Sequence, residues 1–215
     1  MEMKVTIVYD NEACNNDLQA DWGFSALVEV KNTPKILFDT GADGEILLSN
    51  MNKLDIDPKS VEEIFISHKH YDHTGGLFRF LEIKSEVKIY VPPSFLYPPG
   101  VKNIIVVESP KKLHNNVIST GEIDGVEQAL CVETKKGIVI IVGCSHPEME
   151  HILSKASLFG KIYGIIGGLH GFHQFDLFSK FKLICATHCT VYKKAIMNLY
   201  PDAFIEGGVG KIITL

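Results

Sequence analysis

The sequence predicts an α/β protein in which two mixed sheets lie face to face with helices outside. Hairpin-like strand pairs come first, and a β-α-β-α alternation follows. The strands are too many for one covered sheet of ordinary size. Five of them, after residues 38, 66, 142, 166 and 186, lead through a short turn to a His or an Asp. Such convergence is expected where strand ends surround one crevice.

The elements follow in order. Residues 3–9 alternate, with Val5, Ile7 and Tyr9 on one side, and read as a strand. Residues 10–23 form a polar, irregular loop that carries Trp22, the one Trp of the chain. Residues 24–30 and 35–38 are strands joined by a turn at Asn32-Thr33-Pro34. Leu47, Leu48, Met51 and Leu54 stripe a helix over 45–54, stopped ahead of Pro58. A short apolar strand at 63–67 precedes a helix over 77–83, for which Thr74 is the candidate N-cap. Residues 87–91 form a strand that ends at Pro92-Pro93, and 94–100, with Pro98-Pro99, form a surface loop. Strands are expected at 104–108 and 116–120, and a hairpin over 128–133 and 137–142. Residues 147–156 read as a helix with Pro147 in its first turn. Strands at 161–166, 183–186 and 203–205 are separated by helices over 172–181 and 190–199, and 209–215 closes the chain as a strand. No internal repeat or linker interrupts this order, and 215 residues suit a single domain, 1–215.

Composition narrows the function classes. The chain is 46% apolar and 22% charged, as for a globular protein with a substantial core. Its net charge of −5 provides no electrostatic footprint for nucleic acid. Arg79 is the one arginine, so an anionic substrate would depend on cations, lysines or backbone N–H groups. Cys14, Cys131, Cys144, Cys185 and Cys189 are too scattered for a disulfide framework and read as reduced thiols. The N-terminus lacks the pattern of a signal peptide, and no apolar run has the length of a membrane span. A cytoplasmic protein without a membrane partner is expected.

The chemistry concentrates at Ser67-His68-Lys69-His70-Tyr71-Asp72-His73-Thr74-Gly75-Gly76. His68, His70, Asp72 and His73 are ligand types that suit zinc, with iron or manganese as alternatives. Side chains two apart share a face of an extended chain. His68, His70 and Asp72 are therefore expected to point one way, His73 towards a second position, and Lys69 and Tyr71 away. A polar surface turn is the rival reading. Asp39, His146, His170 and His188 complete the set of strand-end residues. His146 could instead merely flank the helix after Pro147, and His170 is as reasonable a substrate contact as a ligand. Cys185, His188 and Cys189 lack the second ligand pair of a closed structural zinc site. Cys144 and Ser145 lack the elbow motif of a nucleophile and read as tight-turn residues. His114 and His151 read as surface histidines. His173 and Phe172 are expected either in the cleft or at a helix start. The loop at 92–100 reads as ordinary surface, with a cleft wall as the alternative.

These residues resemble the metallo-β-lactamase superfamily over nearly the whole chain. The resemblance rests on Phe38-Asp39-Thr40-Gly41, the His68–Gly76 motif, His146 and His188, in the family's order. Within the superfamily the chain is most similar to the dihydropterin–ribofuranosylaminobenzene phosphate synthases, through Glu127-Gln128-Ala129-Leu130, Gly143-Cys144-Ser145-His146-Pro147, Gly167-Gly168-Leu169-His170 and Thr187-His188-Cys189-Thr190. The resemblance implies an αββα sandwich with a cleft for two divalent metal ions. It implies His68, His70 and His146 at the first ion, Asp72, His73 and His188 at the second, and Asp39 in an outer shell. The chain departs from the family where a bridging Asp usually stands, and His170 is the residue available there. The implied function is a metal-dependent hydrolase or transferase acting on a small phosphate-containing substrate, a pterin diphosphate among the candidates. Asp72 and Asp39 are the carboxylates expected to manage the proton. An RNA-processing nuclease and a non-catalytic metal- or pterin-binding protein are the alternatives.

Overall fold

The computed structural model describes residues 2–97 and 100–215, so Pro98-Pro99 of the expected surface loop lie outside the described residues. One sheet has seven strands in the order β13-β1-β2-β3-β4-β5-β6. They are β1 (Met3–Tyr9), β2 (Ser25–Val30), β3 (Ile36–Phe38), β4 (Glu63–Phe65), β5 (Lys88–Val91), β6 (Ile104–Val106) and β13 (Ile212–Thr214). The other has six, in the order β12-β11-β10-β9-β8-β7. These are β7 (Lys111–His114), β8 (Val117–Ile123), β9 (Glu127–Thr134), β10 (Gly137–Val142), β11 (Ile162–Gly168) and β12 (Leu183–Thr187). Helices α1 (Gly44–Lys53), α2 (Tyr71–Thr74) and α3 (Leu77–Ile83) accompany the first sheet, and α4 (Met149–Ser157) and α5 (Lys193–Leu199) the second. The architecture is αββα.

Three apolar layers hold it together, and strand periodicity assigns residues to them. Along β10, Val139 and Ile141 face the core between the sheets, with Val5, Phe38, Phe65 and Leu130. Ile138, Ile140 and Val142 of the same strand face Ile152 of α4 and Ile196 of α5. Leu37 and Ile64 face Leu47 and Met51 of α1 and Phe80 of α3. Burial on both faces explains the nearly unbroken apolar runs of these strands.

Several expectations are corrected. Asp43 caps α1, accepting from the Glu45 and Ile46 N–H groups at 2.7 and 3.2 Å. Thr74 does not cap α3; it ends α2, and its hydroxyl donates to the His70 carbonyl. Pro147 precedes α4 instead of opening it. The helix expected over 172–181 is only a 3₁₀ turn, Phe175–Phe178. Phe172, Phe175, Phe178 and Phe181 recur every third residue, a period that matches the 3₁₀ helix rather than the α-helix. Phe172 and Phe181 stack on Phe178, with centroids 4.5 and 4.8 Å away. The strand expected at 203–205 is a single bridge between Phe204 and Ile184. β7 escapes pattern reading because Lys111 and Lys112 make it a polar edge strand. Among the described residues, no helix is long and apolar enough to cross a membrane.

Candidate metal centre

Topology brings the five strand ends together. β3 and β4 run parallel in one sheet, and β10, β11 and β12 run parallel in the other. Their carboxyl ends open on one edge, where the Gln128 backbone N–H donates to the Ser67 carbonyl at 2.9 Å and ties the sheets. Asp39, Ser145, His170 and His188 take left-handed backbone there, with φ of 53°, 58°, 44° and 51°. Such conformations cost energy in non-glycine residues and collect at functional sites. A Cβ on Gly143 would stand 2.2 Å from Ser67 Oγ, so only glycine lets the turn after β10 approach the motif.

His68, His70 and His146 form the first cluster. His68 Nε2, His70 Nδ1 and His146 Nε2 lie 3.1, 3.1 and 3.2 Å apart. A tetrahedral cation with bonds of about 2.0 Å has donor–donor edges of about 3.3 Å. The three nitrogens are thus spaced as one face of such a site. His68 is 1% exposed, while His70 is exposed and His146 half-buried.

Asp72, His73, Cys144 and His188 form the second cluster, with one donor atom from each inside a 4.8 Å group. The expectation that Asp72 would point with His68 and His70 is corrected. Tyr71–Thr74 is a helical turn, so Asp72 and His73 project together into the second cluster. His188 Nε2 lies 3.2 Å from Asp72 Oδ2, yet it is buried without a hydrogen bond of acceptable geometry. A buried imidazole nitrogen with no partner, aimed at a carboxylate, a second imidazole and a thiol, fits a cation.

The residues behind the clusters set imidazole tautomers. Asp39 is fully buried and accepts from Ser67 N and Ser67 Oγ, each at 2.7 Å, and from His73 Nδ1 at 2.7 Å. Ser67 Oγ has then spent its proton and accepts from His68 Nδ1 at 2.9 Å. His188 Nδ1 donates to Asn11 Oδ1 at 3.0 Å. The Nε2 lone pairs of His68, His73 and His188 are thereby left free for the centre.

Sequence reasoning missed the roles of three participants. Glu127, 2% exposed, accepts the N–H groups of Gly143, Cys144, Ser145 and His146 at 2.9, 3.0, 3.2 and 3.0 Å. The Glu127-Gln128-Ala129-Leu130 motif marked this residue but not its role as acceptor for the turn. Cys144 is not a mere turn residue, because its Sγ lies 3.1 Å from His73 Nε2. Asn11 sits in a loop with no pattern to mark it.

His170 lies beside His146, with ring centroids 4.6 Å apart, and groups with Cys144 and His146. A cavity of about 200 Å³ beyond them is lined by His146, Met149, His170, Phe172, His173 and Gln174. Lys69 is exposed and Tyr71 is 73% exposed, both turned outward. His151 is an exposed partner of Asp124, whereas His114 binds the buried Glu63 at 2.6 Å.

Charge follows geometry. Burial, then neighbouring imidazoles, pushes His146 down to about 4. Burial also lowers His68, His170 and His188. For Asp72, burial pulls upward, but the contacts with His188 and His73 outweigh it and hold the carboxyl below its ordinary range. In His73, burial opposes Asp39, and Asp39 prevails, so the imidazole is raised. His68, His146, His170 and His188 therefore resist protonation, while His73 favours it, and neutral imidazoles are the form that coordinates a cation.

Comparison with known proteins gives the same neighbourhood. The family model of the metallo-beta-lactamase superfamily matches residues 23–127. A 7,8-dihydropterin-6-methyl-4-(beta-D-ribofuranosyl)-aminobenzene-5'-phosphate synthase from Methanocaldococcus jannaschii is 30% identical, covering 97% of this chain and 95% of that protein. The crystal structure of Tm1679, described as a metal-dependent hydrolase of the beta-lactamase superfamily, is 22% identical with a TM-score of 0.79, covering 98% of both chains. The metallo-beta-lactamase fold protein YhfI from Bacillus subtilis is 14% identical with a TM-score of 0.70, covering all of both chains. These two solved structures show likeness of fold.

Proposed function

Because the chain belongs to the metallo-beta-lactamase superfamily, we propose that its cleft holds two divalent cations, zinc first among them, and acts on a small phosphate-containing substrate. The observation that carries this reading is the pair of donor clusters on one strand edge, His68, His70 and His146 beside Asp72, His73, Cys144 and His188. His68, His70 and His146 would hold one cation, and Asp72, His73 and His188 the other. Bound there, the cations would supply Lewis-acid polarisation of phosphoryl oxygens and an acidified water.

The chain's own groups divide the remaining work. Asp39 is too deeply buried to touch substrate, and its part is to hold the His68 and His73 tautomers. Asp72 stays ionised, which suits a ligand better than a proton acceptor. His170 is exposed on the wall of the 200 Å³ cavity, and partial desolvation followed by the neighbouring His70 lowers its pKa. It is the side chain placed to accept a proton from an attacking nucleophile. The name of the synthase relative, which joins a dihydropterin methyl group to a ribofuranosylaminobenzene phosphate, supports a pterin substrate. A diphosphate on the pterin methylene carbon would be the group that the aromatic amine displaces, and the cations would hold it as it leaves.

The test is cation content and turnover together. Wild-type protein should carry about two equivalents of cation, and the His68→Ala/His70→Ala double variant about one. Pterin diphosphates and simple phosphoesters should turn over in the loaded wild type only. Equal metal content in both proteins would sink the site. Retained metal without turnover of either class would leave a binding protein.

A further inference from the structure

Cys144 reaches the second cluster from the opposite sheet. Its Sγ is 3.1 Å from His73 Nε2 and shares a 4.8 Å group with donors of Asp72, His73 and His188. It also shares a group with His146 and His170, so it stands between the two clusters. We propose that Cys144 is a thiolate ligand, the fourth protein donor to the cation held by Asp72, His73 and His188. This rests on the reading that the cleft holds cations at all.

Three observations carry it. The first is the unpartnered His188 Nε2, whose side chain is fully buried and which faces the same space as the thiol. The second is how firmly Cys144 is aimed. Glu127 grips the backbone N–H groups on both sides of it, Ser145 takes a φ of 58°, and Ser145 Oγ donates to the Gly168 carbonyl at 2.9 Å. The same grip reaches the His146 N–H, so the thiol is held as rigidly as that imidazole donor. The third is Cys189. Its Sγ lies 3.3 Å from Cys144 Sγ, yet it joins none of the donor groups among the described residues. It is placed to donate its S–H to Cys144. On binding, the Cys144 S–H bond breaks, the sulfur–metal bond forms and the proton leaves to solvent.

The chemistry has a consequence for selectivity. A set of two imidazoles, one carboxylate and one thiolate favours zinc or another soft or borderline cation over magnesium or calcium. It also closes a tetrahedral site, whereas the three-imidazole cluster leaves a position open.

Cobalt(II) titrated anaerobically into cation-free protein tests this without recourse to activity. Wild type should take two equivalents and develop a near-ultraviolet sulfur-to-cobalt charge-transfer band. Cys144→Ser should lose the band and bind the second equivalent at least about tenfold more weakly. Cys144→Asp, which restores an anionic donor should the Ser variant fold poorly, should take two equivalents without the band. Cys189→Ser should keep both. Two equivalents in wild type with no band, or a band that survives Cys144→Asp, would overturn the thiolate ligand while leaving the dinuclear reading intact. Loss of the band in Cys189→Ser alone would also overturn it. Failure of wild type to take cobalt would remove the underlying reading and the inference together.

Discussion

The two donor clusters share one strand edge, but the chain holds them differently. In the first, His70 is exposed, His146 is half-buried and all donors are imidazoles. Only His68 has its outer nitrogen fixed, through Ser67 to Asp39. In the second, the His73 and His188 side chains are fully buried, and Asp39 and Asn11 take their outer N–H groups. A preorganised, buried donor set binds more tightly than an exposed one, whose side chains must be ordered on binding. The second cluster should therefore retain its cation against a chelator, and the first should exchange and remain accessible to substrate.

The largest expected effect breaks the distinction, because Asp39 serves both clusters. Asp39→Ala removes the acceptor for His73 Nδ1 and for Ser67 Oγ, so both tautomers are released. Loss of such an orienting carboxylate costs about 10–100-fold in metal affinity, here at each cluster. It also leaves the buried His73 Nδ1–H without its acceptor, which costs about 1–3 kcal/mol. Competitive chelation and urea unfolding measure the two effects. Weakening of only one cation would show that Ser67 holds His68 without Asp39.

Glu127 comes next. Glu127→Ala leaves the N–H groups of residues 143–146 without their acceptor, and each unsatisfied buried group costs about 1–3 kcal/mol. Unfolding should occur at markedly lower denaturant, with Glu127→Gln recovering part of the loss because an amide oxygen still accepts. His146 and Cys144 ride on this turn, so both cations should weaken. An unshifted midpoint in the alanine variant would refute the turn-holding role.

Asn11 sharpens the comparison, since it touches the second cluster alone. Asn11→Ala frees His188 Nδ1, removes the acceptor for Gly23 N–H and lets the loop bearing Trp22 shift. The tightly held cation should weaken about tenfold and the exchangeable one should not change, as read by two-phase chelator kinetics. Equal effects on both phases would mean that the clusters are not separately supported.

How far these roles were legible in the sequence depends on the separation of the partners. His68, His70, Asp72 and His73 declare themselves because four ligand types fall within six positions, and the apolar runs before residues 39, 68, 146, 170 and 188 mark buried strands that can share an edge. The division of the motif between two clusters depends on the helical turn Tyr71–Thr74, and the expectation of an extended chain failed there for Asp72. Asn11 and His188 are 177 positions apart, and His73 and Cys144 are 71 apart. No local periodicity reports such pairs; only the sheet order creates them. The same holds for β7 and for the bridge at Phe204, where edge position rather than residue pattern decides the structure.

A pH dependence also separates the supports of the clusters. Asp10 is 1% exposed, accepts from the His188 N–H at 3.0 Å, and burial pushes it up to about 7. Between about pH 4 and 7 the folded chain keeps a proton that an unfolded Asp has lost. Asp10 therefore contributes stability that is full below pH 4 and lost as the pH rises to 7. His146, down at about 4, acts in the other sense: between about pH 6.5 and 4 the unfolded chain gains a proton that the folded one refuses, so stability falls with falling pH. In the cation-free protein the two trends oppose each other. Asp10→Asn keeps an acceptor for the His188 N–H and removes the acid, which should change the slope by up to about 1.4 kcal/mol per pH unit. Urea midpoints in chelator should then fall more steeply from pH 6.5 to 4 in the variant than in wild type. Parallel curves would show that the carboxyl behind His188 is already ionised in the folded chain, and the contrast between a well-supported second cluster and a bare first one would lose that part of its physical basis.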